Sequence, residues 1–358
     1  MSSSTRPHRR RSIHLGVDLS ATTARPAVWR TYDSRPAREF DREAASRLAR
    51  VAAHGALDLV LLGPEFRLGT SRDTTLGGVL DPAVGACRIA REVPGIGAVA
   101  HLDPGRIEPE HVAQALAAVD EHTGGRAGWQ VTDAPLAEVR AVLRAWDAIS
   151  SAPEPAEGEQ YVTRDGVRFA VRAARPGARP VQSRLPVVVA LPGAGGDDGA
   201  LELAGHVADV VRVRARTLEE AAVARERVRL AVAEAGREPD AVRVLVDLFA
   251  VVGPDQASAQ ARLDLLRRLE DEEVDEGSLV VAGSPVALAV TIQDWVDAGA
   301  ADGFVVRPAS LPSDLEAFVA AVVPVLQGSG YLRTGYPGST LGATLRLTRR
   351  REAAVVGA

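Results

Sequence analysis

The sequence predicts an α/β protein built as one closed (β/α)8 barrel of the TIM type, and three observations carry that prediction. Short apolar runs rich in β-branched residues alternate with longer helical patterns, the mark of repeated βα units. The runs number eight, the strand count a closed parallel barrel requires. Each is hydrophobic almost throughout, as strands covered on both faces are. At 358 residues the chain falls in the range that such barrels occupy as a single unit.

The strands are expected at 13–19, 57–62, 96–101, 128–132, 186–191, 208–213, 242–252 and 303–307. Helices fill the intervals. Residues 41–53 place Ala45, Leu48, Ala49, Ala52 and Ala53 three and four apart, which gathers them on one face. Pro109 opens a helix running to about His122, its missing N–H costing nothing in the first turn. A helix over 136–146 follows Thr132-Asp133-Ala134-Pro135 almost at once. Residues 150–184, rich in Pro, Gly and Arg, read as a long loop with room for one hairpin at 161–171. Thr217-Leu218-Glu219-Glu220 is a capping box. Ser284-Pro285 starts a helix that Gly299 ends, and the last helix covers 314–326. The domain expectation is a disordered Arg-rich tail (1–12), one barrel domain (13–348) and a flexible C-terminal tail (349–358).

Bulk properties exclude several functions. Hydrophobic residues make up 46% and charged residues 25%, an ordinary balance for a water-soluble fold. A net charge of −5 and a pI near 5.9 argue against nucleic acid as a main partner. No run approaches the roughly 18 apolar residues of a membrane span. The lone Cys87 rules out an internal disulfide framework and fits a reducing cytoplasm; its apolar setting marks it as a small core residue. Every basic side chain except histidine is an arginine, a compositional bias rather than a phosphate-binding design.

Few residues single themselves out for chemistry. The seven histidines show no metal-ligand spacing, so no zinc site is expected. His101 is the candidate catalytic residue, because it ends a barrel strand and catalytic groups gather at that end. The stretch Pro192-Gly193-Ala194-Gly195-Gly196-Asp197-Asp198-Gly199 is a glycine-rich strand-to-helix turn, whose backbone N–H groups suit an anion. Asp197 or Asp198 equally suits the helix N-cap. No Gly-x-Ser-x-Gly elbow and no lysine-bearing phosphate loop occurs. Trp129 stands where it either walls a ligand at the barrel mouth or organises the turn into its strand. The acidic run 270–276 reads as a solvated face.

Several segments resemble the bacterial luciferase-like, flavin-dependent monooxygenases, in particular the branch acting on nitrilotriacetate, alkanes and dibenzothiophene sulfone. These are Ile13-His14-Leu15-Gly16 with Ala27-Val28-Trp29-Arg30; Glu108-Pro109-Glu110-His111-Val112-Ala113 through Gly124-Gly125-Arg126-Ala127-Gly128-Trp129; Ala298-Gly299-Ala300-Ala301-Asp302-Gly303-Phe304; and Gly330-Tyr331-Leu332-Arg333-Thr334-Gly335-Tyr336. The resemblance implies a barrel binding reduced FMN at the C-terminal ends of its strands, a separate flavin reductase, O2 and a small organic substrate, and a homo-oligomer. The deazaflavin F420 is the alternative cofactor in related barrels. On the resemblance, Gly195, Gly196, Asp197, His101 and Gln130 occupy the flavin-contact positions. Departures are many. Gly63-Pro64 stands where the family has an Asp, His101 and Asp103 where it has Thr and Ser, Gln130 where it has Asn, and Asp197 where it has a phosphate-binding Ser. The insertion after the fourth strand, which carries a His and an Arg-Tyr pair, is missing. Arg212 or Arg214 is the expected compensation for Asp197. Two functions follow: a monooxygenase with a rearranged site, or a flavin-poor paralogue serving as partner subunit or small-molecule-binding protein.

Overall fold

The computed structural model describes residues 12–20, 43–63, 81–132, 134–151, 159–164, 167–172, 178–193, 196–269 and 277–347. Residues 1–11 and 349–358 of the two predicted tails, the acidic run 270–276, Gly195 and the Ala27–Arg30 stretch lie outside them.

All eight expected strands form, and they close. In chain order they are β1 (His14–Asp18), β2 (Leu59–Leu62), β3 (Gly97–His101), β4 (Ala127–Val131), β7 (Val187–Ala190), β8 (Val210–Val213), β9 (Arg243–Val252) and β11 (Gly303–Pro308). Every neighbour is parallel, and β8 pairs with β9 to shut the ring. The expected hairpin is present as antiparallel β5 (Glu159–Arg164) and β6 (Val167–Arg172), which stand outside the barrel sheet.

One strand was not expected. β10 (Leu279–Gly283) pairs with residues 248–252 of β9, beyond the point where β8 stops at Val246. β9 is ten residues long, so its first half closes the barrel and its second half rises above the rim with β10. There Phe249, Val251, Ala282 and Ala309 pack against Ala259, Leu263 and Leu266 of a helix over Gln256–Leu269, forming a small separate core. Asp314 ties this region together. It accepts Val252 N–H at 2.9 Å, Ser310 N–H at 2.9 Å and both Nη groups of Arg262 at 3.0 and 2.8 Å.

Helices form the outer layer: α1 (Ala44–His54), α2 (Pro82–Glu92), α3 (Pro109–Thr123), α4 (Leu136–Ser151), α5 (Asp198–Val207) and α6 (Leu218–Glu234), with Pro285–Asp297 later in the chain. Their caps follow the local chemistry. Gly124, left-handed at φ 62°, stops α3, and Thr217 accepts Glu220 N–H at the start of α6. The other half of that capping box goes to Arg216 N–H, which Glu220 accepts at 2.7 Å. Cys87 lies in α2, half-buried against the core. The last helix spans 313–328 with a π-turn at Phe318–Val322, just ahead of Pro324. A ring without an N–H breaks the regular ladder, and the wide turn absorbs the mismatch.

Inside the barrel the strands alternate strictly. Leu59, Leu61, Val99, Val188, Val210, Leu245 and Val305 face inward and form the lower layer, and Leu341 and Leu345 of the C-terminal segment plug it from below. Glycine makes room for the plug: a side chain at Gly97 would meet Leu341 at 2.5 Å. No helix among the described residues is long and apolar enough to cross a membrane.

Candidate active site

One step up from the apolar layer, toward the C-terminal rim, the inward positions of six of the eight strands turn polar. They are Asp18 of β1, His101 of β3, Gln130 of β4, Arg212 of β8, Asp247 of β9 and Arg307 of β11. A charge in such a place must be paired, since an isolated ion in a low-dielectric interior is prohibitively costly. Arg212, only 7% exposed, is the hub. Its Nε and Nη2 donate to the two carboxylate oxygens of Asp247 at 3.0 and 2.9 Å. Nη2 also reaches Asp18 Oδ2 at 2.7 Å, and Nη1 reaches Gln130 Oε1 at 3.0 Å. Arg307 donates to the buried hydroxyl of Ser278, at the foot of β10, at 3.1 Å. Two carboxylates and two guanidinium groups leave the layer formally neutral.

The electrostatics follow from that enclosure. Burial pushes the Asp18 carboxyl up, but Arg212, the Ser20 side chain and Arg307 together hold it below the ordinary carboxylate range. Burial likewise works against the Arg212 charge, and Asp247 and Asp18 outweigh it, so the guanidinium holds its proton more tightly than usual. For His101, burial dominates: together with Arg212 it keeps the imidazole below its usual pKa, against the pull of Asp103 and Asp18.

His101 and Gln130 are register partners on adjacent strands, and both face the mouth. His101 Nδ1 is buried with no hydrogen-bond partner among the described residues. Gln130 gives its Oε1 to Arg212, and its Nε2 donates to none of the described residues. The sequence-derived candidates therefore divide. His101 and Gln130 come together within the polar layer. Gly196 and Asp197 sit on the turn after β7, the strand beside β4, and no hydrogen bond among the described residues joins them to that layer. Gly196 is left-handed at φ 72°, and Asp197 caps α5 by accepting Ala200 N–H at 2.8 Å. Gly195 falls outside the described residues.

One expectation is corrected, and one of two alternatives falls away. Arg212 does not lean toward Asp197; it turns into the barrel, where four hydrogen bonds occupy it. Trp129 does not wall the mouth, because its neighbours Gly128 and Gln130 face inward and alternate residues of a strand face opposite sides. It packs fully buried in the outer layer, with Nε1 donating to Leu102 O at 2.9 Å. The substitution at Gly63 also gains a reason. A Cβ there would lie 2.5 Å from Ser20 Cβ, so no Asp fits at this exit of β2. Asp18, two residues before Ser20, supplies the carboxylate of this sector and accepts Ser20 N–H at 2.9 Å.

Sequence reasoning overlooked Asp18, Asp247 and Arg307. Their signal was present: a single charge inside an otherwise apolar strand, as in Val246-Asp247-Leu248. What it lacked was the barrel closure that brings β1, β8 and β9 face to face.

Known proteins share this architecture. N-acetyl-S-(2-succino)cysteine monooxygenase of Bacillus subtilis (strain 168) is 24% identical, with 93% of this chain and 96% of that protein covered. Nitrilotriacetate monooxygenase component A of Aminobacter aminovorans is also 24% identical, over 95% and 97%. The solved EDTA monooxygenase of Chelativorans sp. BNC1 superposes with a TM-score of 0.76 at 23% identity, over 94% of this chain and 99% of that one. The first alignment runs over 427 positions, more than the 358 residues here, so that relative carries segments with no counterpart in this chain. The profile described as luciferase-like monooxygenase matches residues 22–278, well over half of the sequence, and the chain belongs to that family.

Proposed function

We propose that this protein is a reduced-FMN-dependent monooxygenase acting on a small organic substrate with O2, its flavin supplied by a separate reductase. The observation that carries the reading is the unpaired polar edge at the rim, His101 Nδ1 beside Gln130 Nε2. Buried polar atoms are almost always satisfied, so an orphan in a barrel mouth points to a ligand. A flavin ring has hydrogen-bonding groups along one edge that would meet both. Bound there, a reduced flavin supplies the electrons that activate O2; the protein binds, orients and excludes water.

This chain's own residues do specific things toward that end. Gln130 offers an amide donor. His101, kept neutral by burial, has one nitrogen to donate and one to accept a proton. The charged side chains of the same layer are internally compensated, so they add no net charge beside the ring. In this reading Gly196 and the N-terminus of α5 face the flavin tail.

Asp197 favours the second reading, a flavin-poor paralogue acting as partner subunit or binding protein. Its carboxylate occupies the start of α5, and a phosphate at about 4 Å would meet repulsion of roughly 4 kcal/mol at an effective dielectric of 20. Titration of the purified protein with FMN, reduced FMN and F420 separates the two. Micromolar affinity for FMN, with NADH- and reductase-dependent oxygen uptake, supports the monooxygenase. No affinity for any of the three retires it, and preference for F420 moves the chain to deazaflavin chemistry.

A further inference from the structure

Arg212 reaches residues from three strands that the sequence keeps far apart: Asp18, Gln130 and Asp247, two as anions and one as a neutral amide. The anions and the amide are not equivalent to it. Asp18 and Asp247 balance its charge, and Asp247 grips it through both carboxylate oxygens, which fixes the plane of the guanidinium. Gln130 contributes nothing to charge balance, yet it takes one of the Nη1 protons. Arginine can only donate, so the amide must turn its oxygen toward Arg212. The Nε2 group is thereby committed to the opposite direction, away from the hub.

We infer that Arg212 is a positioning residue: clamped by Asp18 and Asp247, it locks the Gln130 amide with its donor toward the mouth, next to the imidazole of His101. The locked amide and the imidazole then form a neutral pair, donor beside acceptor, set one strand apart. Its complement is a neutral edge in which a carbonyl oxygen adjoins an N–H, as in an imide or lactam. A carboxylate would find one donor here and an uncharged ring rather than a cation. The assignment rests on the flavin reading above, since the flavin ring carries such an edge, but the lock itself can be tested without flavin.

Three preparations test it: the wild type, Gln130→Glu, and the charge-neutral double variant Arg212→Met, Asp247→Asn. Gln130→Glu keeps an acceptor for Arg212 and replaces the donor with a carboxylate oxygen. The double variant removes the lock and leaves Asp18 with the Ser20 N–H and the charge of Arg307. The probe is lumiflavin, the ring without its tail, followed by fluorescence quenching. Each variant is expected to weaken lumiflavin by about tenfold. Gln130→Glu added to the double variant costs little more, because the donor is already lost. Wild-type affinity in both variants, or losses that simply add, would overturn the assignment. Selective 15N labelling of glutamine side chains supplies the ligand-free readout. The Gln130 amide is expected to be rigid in the wild type and mobile in the double variant; mobility in both, or rigidity in both, overturns the lock. If lumiflavin and FMN both fail to bind the wild type, the flavin reading falls, and the 15N comparison still decides the role of Arg212.

Discussion

The two ends of the barrel use the same kinds of residue toward opposite results. At the lower end, Asp58 is fully buried and takes everything around it. It accepts His14 Nδ1 at 3.0 Å, Leu15 N–H at 2.7 Å and Arg333 Nη1 at 2.9 Å. Arg333 then spends Nη2 on Ala56 O, and Tyr336 donates to Leu57 O. Asp120 behaves alike: both its oxygens accept from Gln182, whose own oxygen accepts Gly342 N–H. Each bond fastens the C-terminal segment or a neighbouring loop to the barrel floor. At the upper end, Asp18, Arg212 and Asp247 satisfy one another across strands, and His101 Nδ1 and Gln130 Nε2 are left over among the described residues. The lower polar groups tie strands, a loop and the C-terminal segment together, whereas the upper ones present two polar atoms at the mouth.

The sharpest way to break this contrast is Asp58→Ala. It strands a buried guanidinium and a backbone N–H, and a loss of about 3–5 kcal/mol in urea unfolding is expected. Flavin affinity of the fraction that remains folded should not change; if it falls, the ends are not independent. Leu341→Ala empties part of the lower plug and should cost about 2–4 kcal/mol, again with unaltered ligand affinity. At the upper end the order reverses. Asp197→Ser keeps a cap for α5, so stability should stay within about 0.5 kcal/mol. Its gain should appear as FMN affinity rising about tenfold relative to riboflavin, measured by parallel titrations; an unchanged ratio places the phosphate elsewhere.

His101→Ala gives the smallest change in stability, because its buried Nδ1 has no partner to lose. The pH profile carries the information. With the folded pKa below the unfolded one, the unfolded chain binds more protons in that interval. Stability attributable to His101 is therefore complete above its ordinary value near 6.5 and declines as pH falls below it. Urea melts of wild type and His101→Ala should converge in slope once this group is gone. Identical profiles would mean the imidazole is not held neutral. Asp18 is shifted in the same direction and its contribution is lost the same way: it is present above about 3.8 and disappears as acid protonates it in the folded state.

Much of the architecture was legible because hydrophobic runs and caps are local. The eight strands, Pro109 opening α3, Ser284 capping its helix and Gly299 ending it all depend on a few adjacent residues. β10 escaped because nothing in Leu279–Gly283 says that β9 outlasts β8 and needs a second partner. The site was legible one residue at a time. His101 and Gln130 could be placed at strand ends, whereas the role of Arg212 needed distances between β1, β4, β8 and β9. Trp129 was readable after all: once Gln130 is assigned to the mouth, its neighbour belongs outside.

The overshoot of β9 has one more effect. With Phe249 and Val251 buried against Leu263 and Leu266, and Arg262 bonded to Asp314, that sector of the rim is built up by a packed ledge. A ligand descending on His101 and Gln130 has this ledge as a fixed backstop across the barrel.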